Sequence, residues 1–165
     1  MAGAIHDSLA ADHARLDALL ARSVAASAID LGAYEQFRAG LLRHIAMEEK
    51  VLFAEARRRH GGQPLPVFEQ LHADHAALAS LLVPPPTHAL LQIVRAVLDE
   101  HNPLEEGQDG FYASCERLAG DEVQAVLARM QALPPVRVGQ HVDEPRIHEH
   151  IVRMLEARRT ASERK

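Results

Sequence analysis

Six side chains of the kinds that bind metals recur in a duplicated pattern along this chain. The segment ADHARLDALL at residues 11–20 returns as ADHAALASLL at residues 73–82, identical at seven of ten positions. Each copy contains a histidine, and after each copy comes a second histidine followed four residues later by a glutamate. A repeat of this kind indicates two equivalent halves of one structural unit. The side chains concerned are His13, His44, Glu48, His75, His101 and Glu105.

The spacing of these residues favours a metal site. Residues four apart on an α-helix differ by about 40° in direction and about 6 Å in height, so His44 and Glu48 can bind one ion from the same face. Glu49 and Glu106, five residues after a histidine, are rotated by roughly 140°, and we expect them to be solvated or to lie behind the ligands. Without a metal, each unpaired charge buried among leucines would cost several kcal/mol. The set therefore predicts a two-metal site between four helices.

The chemistry of the ligands restricts the metal. Imidazole and carboxylate without thiolate suit iron, manganese or zinc, and they argue against copper(I) and iron–sulfur clusters. Ferritin-like proteins use Glu-x-x-His, with the carboxylate first, whereas here the histidine comes first. The His-Glu-x-x-His sequence of zinc proteases does not occur. Nitrogen-rich ligation with open positions suits the binding of a diatomic molecule or peroxide at paired iron better than simple hydrolysis.

Four amphipathic helices are predicted to hold these residues. In the first, capped by Asp7 or Ser8, the histidine shares a face with leucines three and four positions away. The second helix starts near Asp30, the third opens at Pro66, and the fourth is capped by Thr87. The connections are short enough for antiparallel neighbours. The sequence therefore predicts an all-α fold, an up-down-up-down four-helix bundle with additional C-terminal helices.

Composition and charge limit the size, class and partners of the protein. The 165 residues, 47% hydrophobic and 4% aromatic without Trp, suit one core of packed helices. A net charge of -5 without a basic stripe argues against nucleic acid as a partner. The sequence has no signal-peptide pattern and no apolar run long enough to cross a membrane, and its single Cys115 forms no internal disulfide. We therefore expect a cytoplasmic protein without a membrane partner.

The motifs resemble those of the hemerythrin-like proteins, also called HHE cation-binding domains. The resemblance spans roughly residues 5–118 and rests on Asp12-His13-x-x-Leu16, His44-x3-Glu48-Glu49, Asp74-His75-x-x-Leu78 and His101-Asn102-x-x-Glu105-Glu106. It implies a four-helix bundle with two non-haem iron ions joined by an oxo or hydroxo bridge, with zinc or manganese as alternatives. The implied ligands are bridging carboxylates from Glu48 and Glu105, with His13 and His44 on one iron and His75 and His101 on the other.

Three features depart from the family pattern. Oxygen-carrying members place two histidines four apart on the third helix, whereas the extra histidine here is His72, three residues before the ligand histidine. It is a candidate for an additional ligand, for a hydrogen-bond partner of a ligand, or for a surface residue. Pro103 removes a backbone hydrogen bond inside the fourth helix, and we expect a kink that re-aims Glu105. An insertion at 107–110 introduces glycines that could loosen the wall beside one iron, and it makes Asp109 a weaker candidate ligand.

The predicted domains are residues 1–118, the hemerythrin-like bundle, and residues 119–165, a C-terminal helical extension. The extension contains a short helix from Asp121 and a longer helix that ends near Arg159. One face of the longer helix is apolar and carries Ile147, Ile151, Met154 and Leu155. We expect this face either to cover the bundle or to form a homodimer interface.

The function that we favour is a di-iron protein that binds oxygen, nitric oxide or peroxide for sensing or redox protection. Four histidine ligands leave the irons more open than in an oxygen carrier, so ligand-triggered oxidation is expected rather than stable transport. One alternative is an enzyme that reduces peroxide or nitric oxide at the same irons, with Glu106 or His72 as proton donor. Another is a protein that stores or donates iron, or an interaction module switched by metal occupancy through its C-terminal helix.

Overall fold

The computed structural model describes residues 3–164, and all regular structure in this range is helical, as predicted. A π-helical turn, Glu48–Leu52, joins the second and third helices into one long rod, and a 3-10 turn, Gly120–Glu122, joins the sixth and seventh. None of the helices within the described range combines the length and apolar character needed to span a bilayer. The helices are α1 Ala4–Ser23, α2 Leu31–Met47, α3 Phe53–Arg59, α4 Phe68–Leu81, α5 His88–Glu106, α6 Phe111–Ala119, α7 Val123–Gln131 and α8 Pro145–Glu163.

The predicted four-helix bundle is formed by α1, by α2 with α3, by α4 and by α5. Two of the predicted helix starts are confirmed by their hydrogen bonds. The Asp30 carboxylate accepts from the backbone N–H of Ala33 at 2.9 Å, and the Thr87 hydroxyl accepts from that of Leu90 at 3.1 Å. Both side chains satisfy N–H groups that have no partner within the first turn of a helix. These starts are encoded locally, which is why the sequence predicted them.

The start of α1 was predicted too late. The helix begins at Ala4 rather than after Asp7 or Ser8, and no side chain of its own sequence caps it. Its first N–H groups instead meet the carboxylate of Glu116 in α6, which accepts a hydrogen bond from the backbone N–H of Ile5. This cap comes from a residue more than a hundred positions away, so the local pattern contains no signal for it.

Two hydrophobic clusters fill the bundle. One, here called the α6 core, includes Leu9, Leu71, Phe111, Tyr112 and Val126. The other, here called the α8 core, includes Leu16, Leu41, Leu78, Val94 and Ile151. On α1, His13 lies between Leu9 of the α6 core and Leu16 of the α8 core, and the same spacing recurs around the histidine of α4. The predicted ligands therefore form a layer between two apolar regions.

The last helix packs on the bundle through its apolar face. Ile151 is buried against α4 and its neighbours, and Ile147 and Leu155 are partly buried beside it. The helix continues to Glu163, beyond the predicted end at Arg159. Covering the bundle was one of the two expectations for this face, and the pairing of two chains stays a prediction.

A tight turn between α5 and α6 takes the place of the loosened wall that the insertion had led us to expect. The N–H of Gly110 donates to the carbonyl of Gly107 at 2.8 Å. A Cβ atom at Gly110 would lie 2.6 Å from the backbone oxygen of Glu105, a separation that requires the backbone to move. Asp109 is exposed in this turn and belongs to neither ligand cluster. The glycines thus allow the chain to reverse closely beside Glu105.

Gly110→Ala is expected to lower the free energy of unfolding by about 1–3 kcal/mol, since the added methyl group overlaps backbone atoms. Denaturant unfolding of the metal-free protein would measure this change. Gly139→Ala is the matched control, because a Cβ atom there meets nothing within 4 Å. It should change the stability by less than about 0.5 kcal/mol. Equal stabilities of the two variants would contradict the tight turn.

Candidate metal centre

Six buried side chains converge in the layer between the two cores. Their ligand atoms form two groups, within each of which all atoms lie within 4.8 Å of one another. Both glutamates belong to both groups, so the groups adjoin. The first cluster consists of His13, His44, Glu48 and Glu105, and the second cluster of Glu48, His75, His101 and Glu105. The structure thus brings together all the side chains that the repeat singled out, and their ligation of metal stays a prediction.

Each shared glutamate directs one carboxylate oxygen into each cluster. Glu48 Oε1 lies 3.4 Å from His44 Nε2, and Glu48 Oε2 lies 3.1 Å from His75 Nε2. Glu105 is placed in the same way, with Oε2 3.4 Å and Oε1 3.1 Å from histidine Nε2 atoms of the first and second clusters. Carboxylates that bridge two ions need this arrangement.

A second carboxylate orients each of the four histidines from behind. The pairs, with their Nδ1 to oxygen distances, are His13–Glu106 at 2.5 Å, His44–Asp12 at 2.8 Å, His75–Glu49 at 2.8 Å and His101–Asp74 at 3.0 Å. Since Nδ1–H donates in each pair, Nε2 is left free to bind a metal. Metal-binding histidines are commonly held in this way.

The sequence analysis did not predict that the two aspartates of these pairs orient histidines. Asp12 and Asp74 each precede a ligand histidine, but each orients the histidine of another bundle helix. The repetition of the Asp-His pair in both copies was the available signal. Glu49 and Glu106 lie behind ligands, which was one of the two expectations for them.

Unsatisfied polar atoms in the second cluster indicate that the residues fit a metal. Among the described residues, Glu48 Oε2, Glu105 Oε1 and His75 Nε2 are buried without a hydrogen-bond partner. The last of these is close to Glu48 Oε2 but lacks the angles of a hydrogen bond. Leaving such atoms unpaired costs about 1–3 kcal/mol each, and more for charged groups. Divalent cations would satisfy all three, and the nitrogen and oxygen donors suit iron, manganese or zinc.

The shared glutamates also control protonation of the imidazoles. Burial alone lowers the pKa of His44, but Glu48 and Asp12 outweigh it and raise that pKa to about 10. Burial likewise opposes the charge of His101, whereas the adjacent Glu105 dominates and raises the pKa to about 9. The pKa of Glu48 is held well below its usual value, since the neighbouring His44 overcomes the effect of burial. In the absence of metal, His44 and His101 are therefore imidazolium ions paired with carboxylates, whereas burial lowers the pKa of His13 and keeps its ring neutral.

Comparison with family models gives a match to the Hemerythrin HHE cation binding domain over residues 4–109, more than half of the chain. The chain belongs to this family. Comparisons with curated proteins and with solved structures gave no match. The matched residues of the HHE domain include all six predicted ligands, and they end before α6.

His72 belongs to neither cluster of the HHE domain, so the structure does not bring this candidate for an additional ligand together with the other donors. Its side chain is 58% exposed, and its Nδ1 lies 3.0 Å from Glu49 Oε1. The ring stacks on Phe68 with the centroids 5.6 Å apart. His72 lies three residues before His75, so its side chain points about 60° away from that of His75, towards the surface. His72 therefore lies at the surface, the third of its predicted roles, where it contacts the carboxylate that orients His75 and not a ligand candidate.

Pro103 does not displace Glu105 from the HHE domain's centre. Helix α5 continues through the proline to Glu106, and the Gly107 N–H donates to the Pro103 carbonyl at 3.1 Å. Glu105 is fully buried with the other ligand candidates. The expected re-aiming is therefore wrong. Pro103 lacks an N–H group, so only the carbonyl four residues before it loses its helical donor. The helix ends three residues later, at Glu106.

Two residues beyond the matched range also reach the centre. Tyr112 of α6 is fully buried, and its hydroxyl donates to Glu48 Oε1 at 2.6 Å and lies 2.9 Å from Glu105 Oε2. Arg158 of α8 places Nε 2.8 Å from Asp74, the carboxylate that orients a histidine of the second cluster. Neither residue was predicted, although the Phe-Tyr pair after the fourth motif was a signal for the tyrosine.

Metal binding by the HHE domain is expected to strengthen as the pH rises. The raised pKa values of His44 and His101 stabilise the metal-free fold below the ordinary histidine pKa, and this contribution is lost as the pH rises through about 9 to 10. Metals need neutral imidazoles, so their affinity increases over the same range. The rise in melting temperature on anaerobic addition of iron(II) or zinc should be larger at about pH 9 than at about pH 7.

Variants of single histidines test the assignment of ligands, and the quantity to measure is the amount of metal bound per chain. His75→Ala should reduce the bound metal from about two ions to about one per chain, because it removes a donor of the second cluster. His150→Ala is the control, since His150 is exposed on α8. An unchanged metal content in His75→Ala, or equal stabilisation at both pH values, would contradict this account.

Proposed function

We propose that this HHE domain holds two iron ions and binds oxygen, nitric oxide or peroxide for sensing or redox protection. The observation that carries this proposal is the second cluster, whose unpartnered Glu48, Glu105 and His75 atoms lie in a buried centre with only two histidines. When bound, the irons would supply coordination positions for the small ligand and electrons for its reduction. The few nitrogen donors favour ligand-triggered oxidation over reversible transport.

A cavity beside the second cluster offers a path for an apolar gas. It has a volume of about 290 Å³, and its lining includes Phe53, Phe68, Phe111 and Glu49. Phe53 stacks on His75, with the ring centroids 5.6 Å apart. Small apolar molecules leave water for apolar surroundings, and most of the side chains that line this cavity are apolar. The cavity therefore favours a diatomic ligand that approaches from this side.

Phe68→Trp is expected to slow the reaction of the diferrous protein with nitric oxide or oxygen, because the larger ring fills this cavity. Stopped-flow absorbance of the anaerobic, iron-loaded protein would give the rate, with a decrease of about tenfold expected. The diferrous wild-type protein should be oxidised once per chain. Repeated turnovers with an electron donor would instead identify an enzyme.

Gln108→Trp is the matched control for the path. Gln108 lines a second cavity of about 490 Å³, which adjoins Glu106 on the side of the first cluster. This variant should react at the wild-type rate. If Gln108→Trp slowed the reaction and Phe68→Trp did not, the ligand would enter through the cavity beside Gln108 instead. No reaction of the diferrous protein with oxygen, nitric oxide or peroxide would remove the proposed function.

Contact between α8 and the centre supports a second candidate function, a metal-switched interaction. Asp74 is fully buried; its Oδ1 forms an ion pair with Arg158, whose Nε lies 2.8 Å away, and its Oδ2 accepts the Nδ1–H of His101 at 3.0 Å. Binding of a metal to His101 would change the charge that Asp74 faces. The docking of α8 would then depend on whether the second cluster holds a metal.

Hydrogen exchange of α8 is expected to be faster in the metal-free protein than in the metal-loaded protein. The reason is that Arg158, Asp74 and His101 connect α8 to the second cluster. Mass spectrometry of both forms would measure the difference. Arg158→Gln should remove most of it, whereas Arg153→Gln on the exposed side of α8 should not. The same exchange rate in both forms of the wild-type protein would exclude switching through α8.

A further inference from the structure

The hydroxyl of Tyr112 lies among all four donor atoms of the first cluster. Its oxygen is 2.6 Å from Glu48 Oε1 and 2.9 Å from Glu105 Oε2. It is also 3.3 Å from His13 Nε2 and 3.4 Å from His44 Nε2. A tyrosine that only supported one carboxylate would need a single one of these contacts. The oxygen instead occupies a position beside the complete donor set.

These separations match those between neighbouring ligands of one metal ion. In an octahedral site with bonds of about 2.1 Å, adjacent ligand atoms are about 3 Å apart. The four distances from the hydroxyl oxygen, 2.6 to 3.4 Å, lie on both sides of that value. A fifth donor at the apex of a square pyramid has this relation to four basal donors. The hydroxyl that donates to Glu48 thus also has the separations expected of a fifth donor.

The second cluster has no such oxygen. Its atoms Glu48 Oε2, Glu105 Oε1 and His75 Nε2 have no hydrogen-bond partner among residues 3–164. The oxygens that face the first cluster, by contrast, both contact Tyr112. The two halves thus differ in spite of the sequence repeat, because the tyrosine comes from α6, outside that repeat.

We propose that Tyr112 binds the metal of the first cluster through its phenolate oxygen, and that the small ligand therefore binds at the second cluster. This inference rests on the proposed metal pair. On binding, the metal–oxygen bond forms as the O–H bond breaks, and the proton is released to solvent with those of the other ligands. Phenolate is a hard anionic oxygen donor, which suits iron(III) in the same way as carboxylate. The first metal would then have one protein donor more than the second, which makes the second the more open site.

Two optical measurements test the ligand directly. Zinc is colourless, so its titration into the metal-free protein should produce only the ultraviolet difference spectrum of one ionised tyrosine per chain. Iron(II) loaded without air and oxidised with ferricyanide should give a visible phenolate-to-iron(III) band with tyrosinate vibrations in resonance Raman. Both signals should disappear in Tyr112→Phe, and zinc affinity at one of the two sites should fall by about tenfold or more.

Tyr34→Phe is the matched control, because Tyr34 is the other of the two tyrosines in the chain. It is fully buried in the α8 core, and its hydroxyl has no hydrogen-bond partner among the described residues. This variant should keep both optical signals. A tyrosine that merely donates a hydrogen bond to Glu48 would lower metal affinity in Tyr112→Phe without producing either signal in the wild-type protein.

The outcomes separate this inference from the proposed function. Iron that reacts with nitric oxide or oxygen but shows no tyrosinate signal, or shows one that survives in Tyr112→Phe, would overturn the ligand and leave the function standing. A tyrosinate signal in a protein inert towards all three small ligands would support the ligand and remove the function. Failure to bind either zinc or iron would overturn both.

Discussion

The burial of two carboxylates determines much of this structure. Glu48 and Glu105 are both 0% exposed, and they lie between two apolar cores where an unpaired charge costs several kcal/mol. Four imidazoles surround them, and a second set of four carboxylates orients those imidazoles. The imidazoles thus compensate the charge of the two glutamates, and the outer carboxylates compensate the charge of the imidazoles. Metal ions would complete the compensation in the second cluster, where three buried polar atoms have no hydrogen-bond partner among the described residues.

The regular pattern of backbone hydrogen bonds is interrupted at or near both shared glutamates. A π-helical turn begins at Glu48, where the chain passes from α2 to α3. In the other half, Pro103 lies two residues before Glu105 and cannot donate a backbone hydrogen bond. π-Helical turns are frequent at functional sites, whereas α5 continues through Pro103 and Glu105 keeps its place in the centre. The two halves of the repeat reach similar carboxylate positions by different local means.

The asymmetry of the centre comes from outside the duplicated segment. The repeat alone would make two equal clusters, each with two histidines and two shared carboxylates. Residues after the family match change this, because α6 brings Tyr112 to the first cluster and α8 brings Arg158 to the residues behind the second. In the proposed di-metal centre, such a difference would decide which of the two clusters keeps a position open for a small ligand. The C-terminal helices are therefore part of the centre as well as of the core.

The sequence by itself determined the helices and the six central side chains, because helical period, the caps at Asp30 and Thr87, and i to i+4 spacing are local properties. Tertiary structure alone decided the rest. Residues from other helices determine where α1 starts and which carboxylates contact the histidines. They also determine that His72 lies outside the two clusters and that Tyr112 contacts the first cluster. Spacing along one helix fixes the direction of a side chain but not the element that it meets. Only the packing of the helices determines which groups come into contact.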